Sequence, residues 1–397
     1  MMTTSRVDTA RWRMLAVVGL ALLLGMSHWF AANAVVPQFR ALWGLSVSEG
    51  TWLTTVVQLG FVAGTALFAM FNVADLAPAR QLFAWSALAG ATANLAVLAA
   101  PDYASALACR FVSGAAMAGV YPPAMKMIST WFRERRGLAV GVLIGALTIG
   151  TALPYLVHAI PGATIVPVVL SGSLAAVLSA ALVYLFYREG PFPFAAQPFS
   201  WGLAASVVRT RRWRLATGGY LGHMWELYAF WTWIPAWLAA SAAARGSRLN
   251  SGVVTGAIAF AVIAVGAAGC IWGGLASDRR GREWLVTVSM AVSGGCALAI
   301  GAVYGMSWWL VVPVALVWGW FVIADSAQFS VLVTESVEAH AVGTALTLQV
   351  SIGFLLTMVS MQLVPPVVAL VGWRWAFAVL SLGPAAGIWA IKRLRSS

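Results

Sequence analysis

Long, almost uninterrupted apolar runs are the dominant pattern in this chain. Twelve are visible, at residues 14–38, 50–72, 81–101, 104–130, 137–160, 164–187, 215–240, 251–276, 284–304, 307–333, 342–364 and 373–391. Each is long enough to cross the hydrocarbon of a bilayer as a helix, which takes about 20 residues. Inside lipid every backbone polar group must be satisfied internally, so only helices and closed barrels span. The runs are too long and too evenly apolar for the alternating strands of a barrel. The pattern predicts an all-α membrane protein of twelve transmembrane helices.

Ionisable residues deep inside these runs occur in only four of them. His28 lies in the first, Arg110 and Lys126 in the fourth, His223 and Glu226 in the seventh, and Asp325 in the tenth. A charge at a helix centre in hydrocarbon costs at least about 2.5–3.5 kcal/mol, so such groups normally face a protein interior or a watery path. Runs one, four, seven and ten are spaced by three, as expected if two six-helix repeats surround a central cavity.

Composition and charge sharpen this reading. Hydrophobic residues make up 61% of the chain and charged residues 9%, against about 25% charged in soluble domains. The net charge of +12 suggests a nucleic-acid partner only until the arginines are placed. With the N-terminus inside, eighteen basic residues fall in cytoplasmic segments and four (Arg40, Arg245, Arg248 and Arg374) in outer ones. That bias predicts both termini in the cytoplasm. The expected partners are a bilayer, as in a bacterial inner membrane, and a small solute, with the chain a monomer and no nucleic acid bound. Cys109, Cys270 and Cys296 all lie within the runs and read as small apolar residues, not as metal ligands or a disulfide framework. No cleavable signal peptide is apparent.

The longest polar stretch starts Arg188-Glu-Gly-Pro-Phe-Pro and ends in the basic cluster Arg209 to Arg214. It separates a six-helix bundle at 1–187 from another at 214–397, with 188–213 as a cytoplasmic linker. The halves repeat in traces. Gly274-Leu-Ala-Ser-Asp278-Arg279-Arg280-Gly281-Arg282 follows the eighth run, and Asp75 and Arg80 follow the second at the equivalent place. Six spans per half predicts parallel repeats about an axis along the membrane normal. These features, with Arg110-Phe-Val-Ser-Gly114 in the fourth run, resemble the major facilitator superfamily. More loosely, Gly219 to Tyr228 and Ala324 to Ser330 are similar to bacterial porters grouped with cyanate and nitrate/nitrite transporters. The resemblance implies secondary transport, no enzyme activity and no bound cofactor, with protons as the coupling ion. It also implies a cytoplasmic gate built from Asp75, Arg80, Asp278, Arg279, Gly281 and Arg282.

The residues themselves suggest how coupling works. His223 and Glu226 share a helix face at i, i+3, and Phe230 and Trp233 extend it, so an acid and an imidazole stand beside an aromatic wall. Asp325 has Gln328 one turn on and Trp318 and Phe321 nearby, a mixed stripe suited to a small solute. The bland alternative for His223 and Glu226 is a hydrogen-bonded pair that holds helices together, and for Asp325 an acid that pairs with a helix terminus or a neighbouring Arg for assembly. Arg110 carries a fixed charge that can fork onto an anion or onto Glu226 or Asp325; its alternative is snorkelling to the surface. Lys126 is divided between cavity and interface, and His28 reads more readily as a structural group than as a ligand. The leading expectation is proton-coupled symport of a small anion, with proton antiport of apolar or cationic drugs as the alternative. No Gly-Lys-Ser/Thr phosphate loop is present to suggest ATP-driven pumping.

Overall fold

The computed structural model describes residues 4–71, 73, 77–132, 135–192, 200–246 and 251–396, and every regular element among them is helical. Helices α1 (Thr4–Met26), α2 (Ala31–Ala34) and α3 (Val36–Trp43) cover the first predicted span and its exit. The second and third spans are α4 (Val47–Met70) and α5 (Ala79–Ala96). Helices α6 (Tyr103–Met117) and α7 (Tyr121–Ser129) share the fourth, and α8 (Arg136–His158) and α9 (Ile165–Phe186) form the fifth and sixth. A short helix, α10 (Trp201–Arg209), lies in the linker, followed by α11 (Arg211–Ala244). The eighth span is split into α12 (Ser251–Ala264) and α13 (Gly266–Arg280), and α14 (Arg282–Ala299) is the ninth. The tenth is α15 (Trp308–Ala324) with α16 (Ser326–Thr334); α17 (Val342–Ala376) and α18 (Leu382–Arg395) complete the chain.

Among the described residues ten stretches are long and apolar enough to cross a membrane, against twelve predicted. Helix α11, with His223, Glu226 and many Trp, Tyr and Gly residues, does not qualify on hydropathy. Val342–Arg395 counts as one stretch of 54 residues, although its backbone leaves the helical region at Gly372, with φ 72° and ψ 169°.

The solvent for this fold is lipid, and burial follows from that. Trp309 is 89% exposed and Leu370 83%, whereas His28, Arg110, Glu226 and Asp325 are buried. Within the first half of the sequence α4 packs on α6, and in the second α11 packs on α17 and α18. The two halves of the sequence meet where α8 lies against α12 and α13 and where α4 lies against α17.

Three of the spans that carry ionisable residues are broken, the first and tenth at those residues and the fourth between its two. The first is interrupted between Met26 and Ala31, the fourth between Met117 and Tyr121, and the tenth at Asp325. Pro122 and Pro123 explain the fourth. Neither has an N–H to return to the preceding turn, and proline is tolerated at a helix start, where that donor has no partner anyway. Arg110 and Lys126 therefore stand on two separate helices, α6 and α7.

The gate expected from the loop motif is built differently. Arg282 pairs with Glu335 at the end of α16, not with Asp278. Arg280 lies over the Trp284 ring, and Arg80 lies 5.4 Å from the ring centroid of Tyr184. Arg279 and Asp278 are exposed; Asp278 Oδ1 would lie 3.8 Å from a Cβ built on Gly137. Asp75 lies outside the described residues. Gly281 has φ 90° and ψ 153°, a conformation essentially restricted to glycine, and makes the turn from α13 into α14. Asp278 is still in the last turn of α13, whereas Arg282 opens the next helix and reaches Glu335 at the end of α16.

Candidate functional site

Two polar nodes lie in the protein interior, one in each half of the sequence. The node in the second half is centred on α11. Glu226 accepts a hydrogen bond from Ser293 Oγ of α14 (2.7 Å) and another from Trp318 Nε1 of α15 (2.8 Å). His223, one turn earlier, places Nδ1 2.9 Å from Asp325 Oδ1. Asp325 sits in the break between α15 and α16, where the N–H of buried Gln328 donates to its carbonyl (2.9 Å). The helix break thus carries an acid to the imidazole, and both side chains are 2% exposed.

The aromatic wall expected here is only partly assembled. Phe230 packs on Trp318 with centroids 4.2 Å apart, directly beside Glu226. Trp233 instead donates to Met361 O of α17 (2.9 Å). At seven residues from Glu226 it is on the same face of α11 but about two turns further along, where α17 is the neighbour. Phe321 packs edge-on against Trp272 (5.5 Å), away from the acids.

The node in the first half belongs to Arg110. Its Nε donates to Leu53 O (3.0 Å), Nη1 to His28 O (3.0 Å) and Asn94 Oδ1 (3.1 Å), and Nη2 to Trp29 O (2.5 Å). All four acceptors are neutral oxygens of the first half, so Arg110 does not face Glu226 or Asp325 in this conformation. The reason is local. The guanidinium takes up carbonyls that the break in the first span leaves exposed, as an inserted side chain does at a helix kink. Gly114, one turn beyond Arg110, lets α6 approach α4 closely: a Cβ there would fall 2.1 Å from Val57 O. Asn94 is in turn fixed by donating to Val169 O and Ser173 Oγ. Buried His28 packs near Gly90 and Gly172, and its ring nitrogens have no hydrogen-bond partner among the described residues. Lys126 lies half-buried on α7, beyond the break.

Between the nodes lies an aromatic seam that the charged residues did not announce. Trp29, in the break of the first span, packs against Phe61 of α4 (5.4 Å), Phe354 of α17 (5.6 Å) and Tyr228 of α11 (6.0 Å). Phe30 packs against Tyr228 and against Trp231, each at 6.1 Å. Tyr220 stacks beside His223 at 6.2 Å, which connects the seam to the acids. One edge of the seam is tied by polar contacts. Asn33 Nδ2 donates to Tyr155 Oη (2.6 Å) and Thr232 O (3.0 Å), and Tyr155 Oη donates to Trp231 O (3.2 Å). Signals for the seam were present in the sequence: Trp29-Phe30 directly follow His28, and Tyr220 and Tyr228 are eight residues apart on one face of a helix.

Known proteins supply an independent comparison. The puromycin resistance protein pur8 of Streptomyces alboniger is 33% identical over 147 residues. That match spans 36% of this chain and 29% of the relative, so it covers less than a third of the relative's length. Two solved structures match across nearly the whole fold. One is a bacterial homologue of the human lysosomal transporter Spinster, in an inward-facing and unoccupied conformation. It has a TM-score of 0.68 at 14% identity and covers 97% of this chain and 95% of that one. The other is the nucleoside transporter NupG, with a TM-score of 0.72 at 12% identity, covering 96% of this chain and 99% of that one. At such identities the likeness establishes the fold alone. The family model for the Major Facilitator Superfamily matches residues 17–361. With that match added to the apolar helices and the shared fold, the chain is a multi-pass integral membrane protein that belongs to the Major Facilitator Superfamily.

Proposed function

We propose that this protein is a secondary active transporter that works by alternating access and exchanges an apolar, ring-bearing solute for protons. The observation that carries the reading is the position of His223 and Asp325, 2.9 Å apart, immediately behind the aromatic seam between the two halves of the sequence. A proton taken up by this pair, or by Glu226, changes the net charge of the second half at the place where solute would lie. Loaded and empty states then differ in the cost of reorienting that charge through the bilayer. In this conformation Glu226 is enclosed by Ser293, Trp318 and Phe230, so proton exchange with water requires those contacts to part.

The anion-symport reading is less well supported. It needs a buried cation open to substrate, and Arg110 is held by four protein oxygens. The likeness to a puromycin resistance protein favours export. We further take the membrane topology as twelve spans. Val342–Arg395 divides at Gly372, and α11 crosses despite its polarity. The halves are 1–187 and 214–397, joined by the linker 188–213, with both termini in the cytoplasm of a bacterial cell. The chain acts as a monomer without bound cofactor, and the gate contacts at Arg80, Arg282 and Glu335 lie on the cytoplasmic side.

The test is flux in proteoliposomes with an imposed pH gradient, using puromycin as the first solute and an internal pH dye to follow protons. Asp325→Asn and Glu226→Gln should each reduce gradient-driven flux at least tenfold. Undiminished flux in both variants rejects these acids as the coupling groups.

A further inference from the structure

We propose that the seam selects aromatic solutes bearing hydrogen-bond acceptors, and that Trp29 and Trp231 are the residues that impose this selection. The inference rests on the transport reading above and adds the chemical class of the solute.

Both indoles are buried, each 1% exposed, in the middle of the seam. Neither Nε1 has an acceptor among the described residues. Other tryptophans of the same interior behave differently. Trp233, Trp237 and Trp318 each donate to a protein oxygen at 2.8–3.0 Å. An indole N–H is a donor only, and a buried donor without a partner is costly unless something supplies an acceptor in another state of the molecule. The two unpaired donors share Tyr228 as a neighbour, whose ring lies 6.0 Å from Trp29 and 5.5 Å from Trp231. Trp29 comes from the first half of the sequence and Trp231 from the second. One solute accepting from both would bridge the surfaces that must separate during transport.

The surrounding rings set the rest of the chemistry. Phe30, Phe61, Phe354 and Tyr228 offer faces for a planar ring, since offset and tilted ring pairs are favourable at these separations. Among the described residues the two buried acids of the second half are already engaged, Asp325 beside His223 and Glu226 by Ser293 and Trp318. A solute held here is therefore recognised through neutral acceptors such as ring nitrogens or carbonyl oxygens, not through a positive charge.

The experiment measures equilibrium binding to purified protein in detergent for three probes. Adenosine carries ring-nitrogen acceptors, puromycin carries ring-nitrogen and amide-carbonyl acceptors, and tetraphenylphosphonium is an aromatic cation with no acceptor. The variants are Trp29→Phe and Trp231→Phe, which keep a ring and remove the N–H. Each should weaken adenosine or puromycin binding about tenfold, leave tetraphenylphosphonium unchanged, and melt no lower than the parent in the absence of probe. Binding of tetraphenylphosphonium alone overturns the proposal, as does equal loss for all three probes or failure of both adenosine and puromycin to bind. These outcomes leave the transport reading standing if Asp325→Asn still abolishes gradient-driven flux. Loss of that dependence sinks the transport mechanism even if the indoles select acceptors as described.

Discussion

Glu226 shows how a single buried acid can be held without a cation. Both of its oxygens accept from neutral donors, Ser293 Oγ and Trp318 Nε1, so removing the side chain leaves two donors facing an apolar gap. Glu226→Ala should lower stability by about 1–3 kcal/mol for each stranded group, read as a drop in melting temperature in detergent. Glu226→Gln keeps the shape and one acceptor, and the Ser293 hydroxyl can turn to accept from the amide. It should melt close to the parent while losing proton-coupled flux. Arg110 is the opposite case, one cation serving four oxygens. Arg110→Met should strand His28 O, Trp29 O, Leu53 O and Asn94 Oδ1 and prevent stable folding, with no monodisperse peak on size exclusion. Arg110→Lys has three donors on a point charge and no planar fork; it should fold but melt well below the parent. At this scale the sequence told which side chains are buried and charged, because hydrocarbon makes such residues rare. It did not tell their partners, since Arg110 bonds to backbone carbonyls that carry no signature in the amino-acid code.

Among the helices, breaks matter more than lengths. Glycine and proline fix some of them legibly: Pro122-Pro123 ends α6 before α7 begins, and Gly281 makes the turn that carries Arg282 to Glu335. Gly281→Ala forces a side chain into φ 90°, a strain of about 1–3 kcal/mol. The variant should show a lower melting temperature, and Glu335→Gln added to it should cost little more, because the strained turn already displaces Arg282. The break in the first span has no proline or glycine at residues 27–30 and was invisible in the apolar pattern. It depends on a tertiary contact, the Arg110 guanidinium, and so on a residue in another helix. The same reasoning explains the aromatic seam. Trp29, Phe30, Tyr228 and Phe354 read as ordinary apolar residues along the chain, and only the packing of α4, α11 and α17 brings them together. The twelve apolar runs, by contrast, were legible throughout. Ten stretches among the described residues are long and apolar enough to span; the counts differ at α11, which is too polar, and at Val342–Arg395, which counts as one stretch although its backbone leaves the helical region at Gly372.

For the molecule as a whole, the decisive contacts are those that join the two halves of the sequence. Ser48 Oγ donates to Gln362 Oε1 (2.9 Å), Gln362 Nε2 donates to Thr55 Oγ1 (3.1 Å), and Asn33 bridges Tyr155 to Thr232 O. Ser48 and Gln362 lie at the end of the bundle where α4 begins. At the opposite end α1 starts, with Trp12 packed on Phe132 at 5.4 Å. In the alternating-access cycle proposed above, the first set of contacts parts in every turnover. Hydrogen bonds between neutral side chains net only about 0.5–1.5 kcal/mol each, weak enough to break on that timescale and numerous enough to define a closed state. A chain with Ser48→Cys and Gln362→Cys, its three native cysteines replaced by alanine, can be bridged with a short bifunctional thiol reagent. Bridging should stop solute flux in proteoliposomes, and reduction should restore it, while solute binding in detergent persists because the end carrying α1 stays free to open. Flux that continues at the parent rate after complete bridging would mean that this end does not open during transport. The seam between α4 and α17 would then be a fixed structural joint, and solute would have to reach Trp29 and Trp231 by another route.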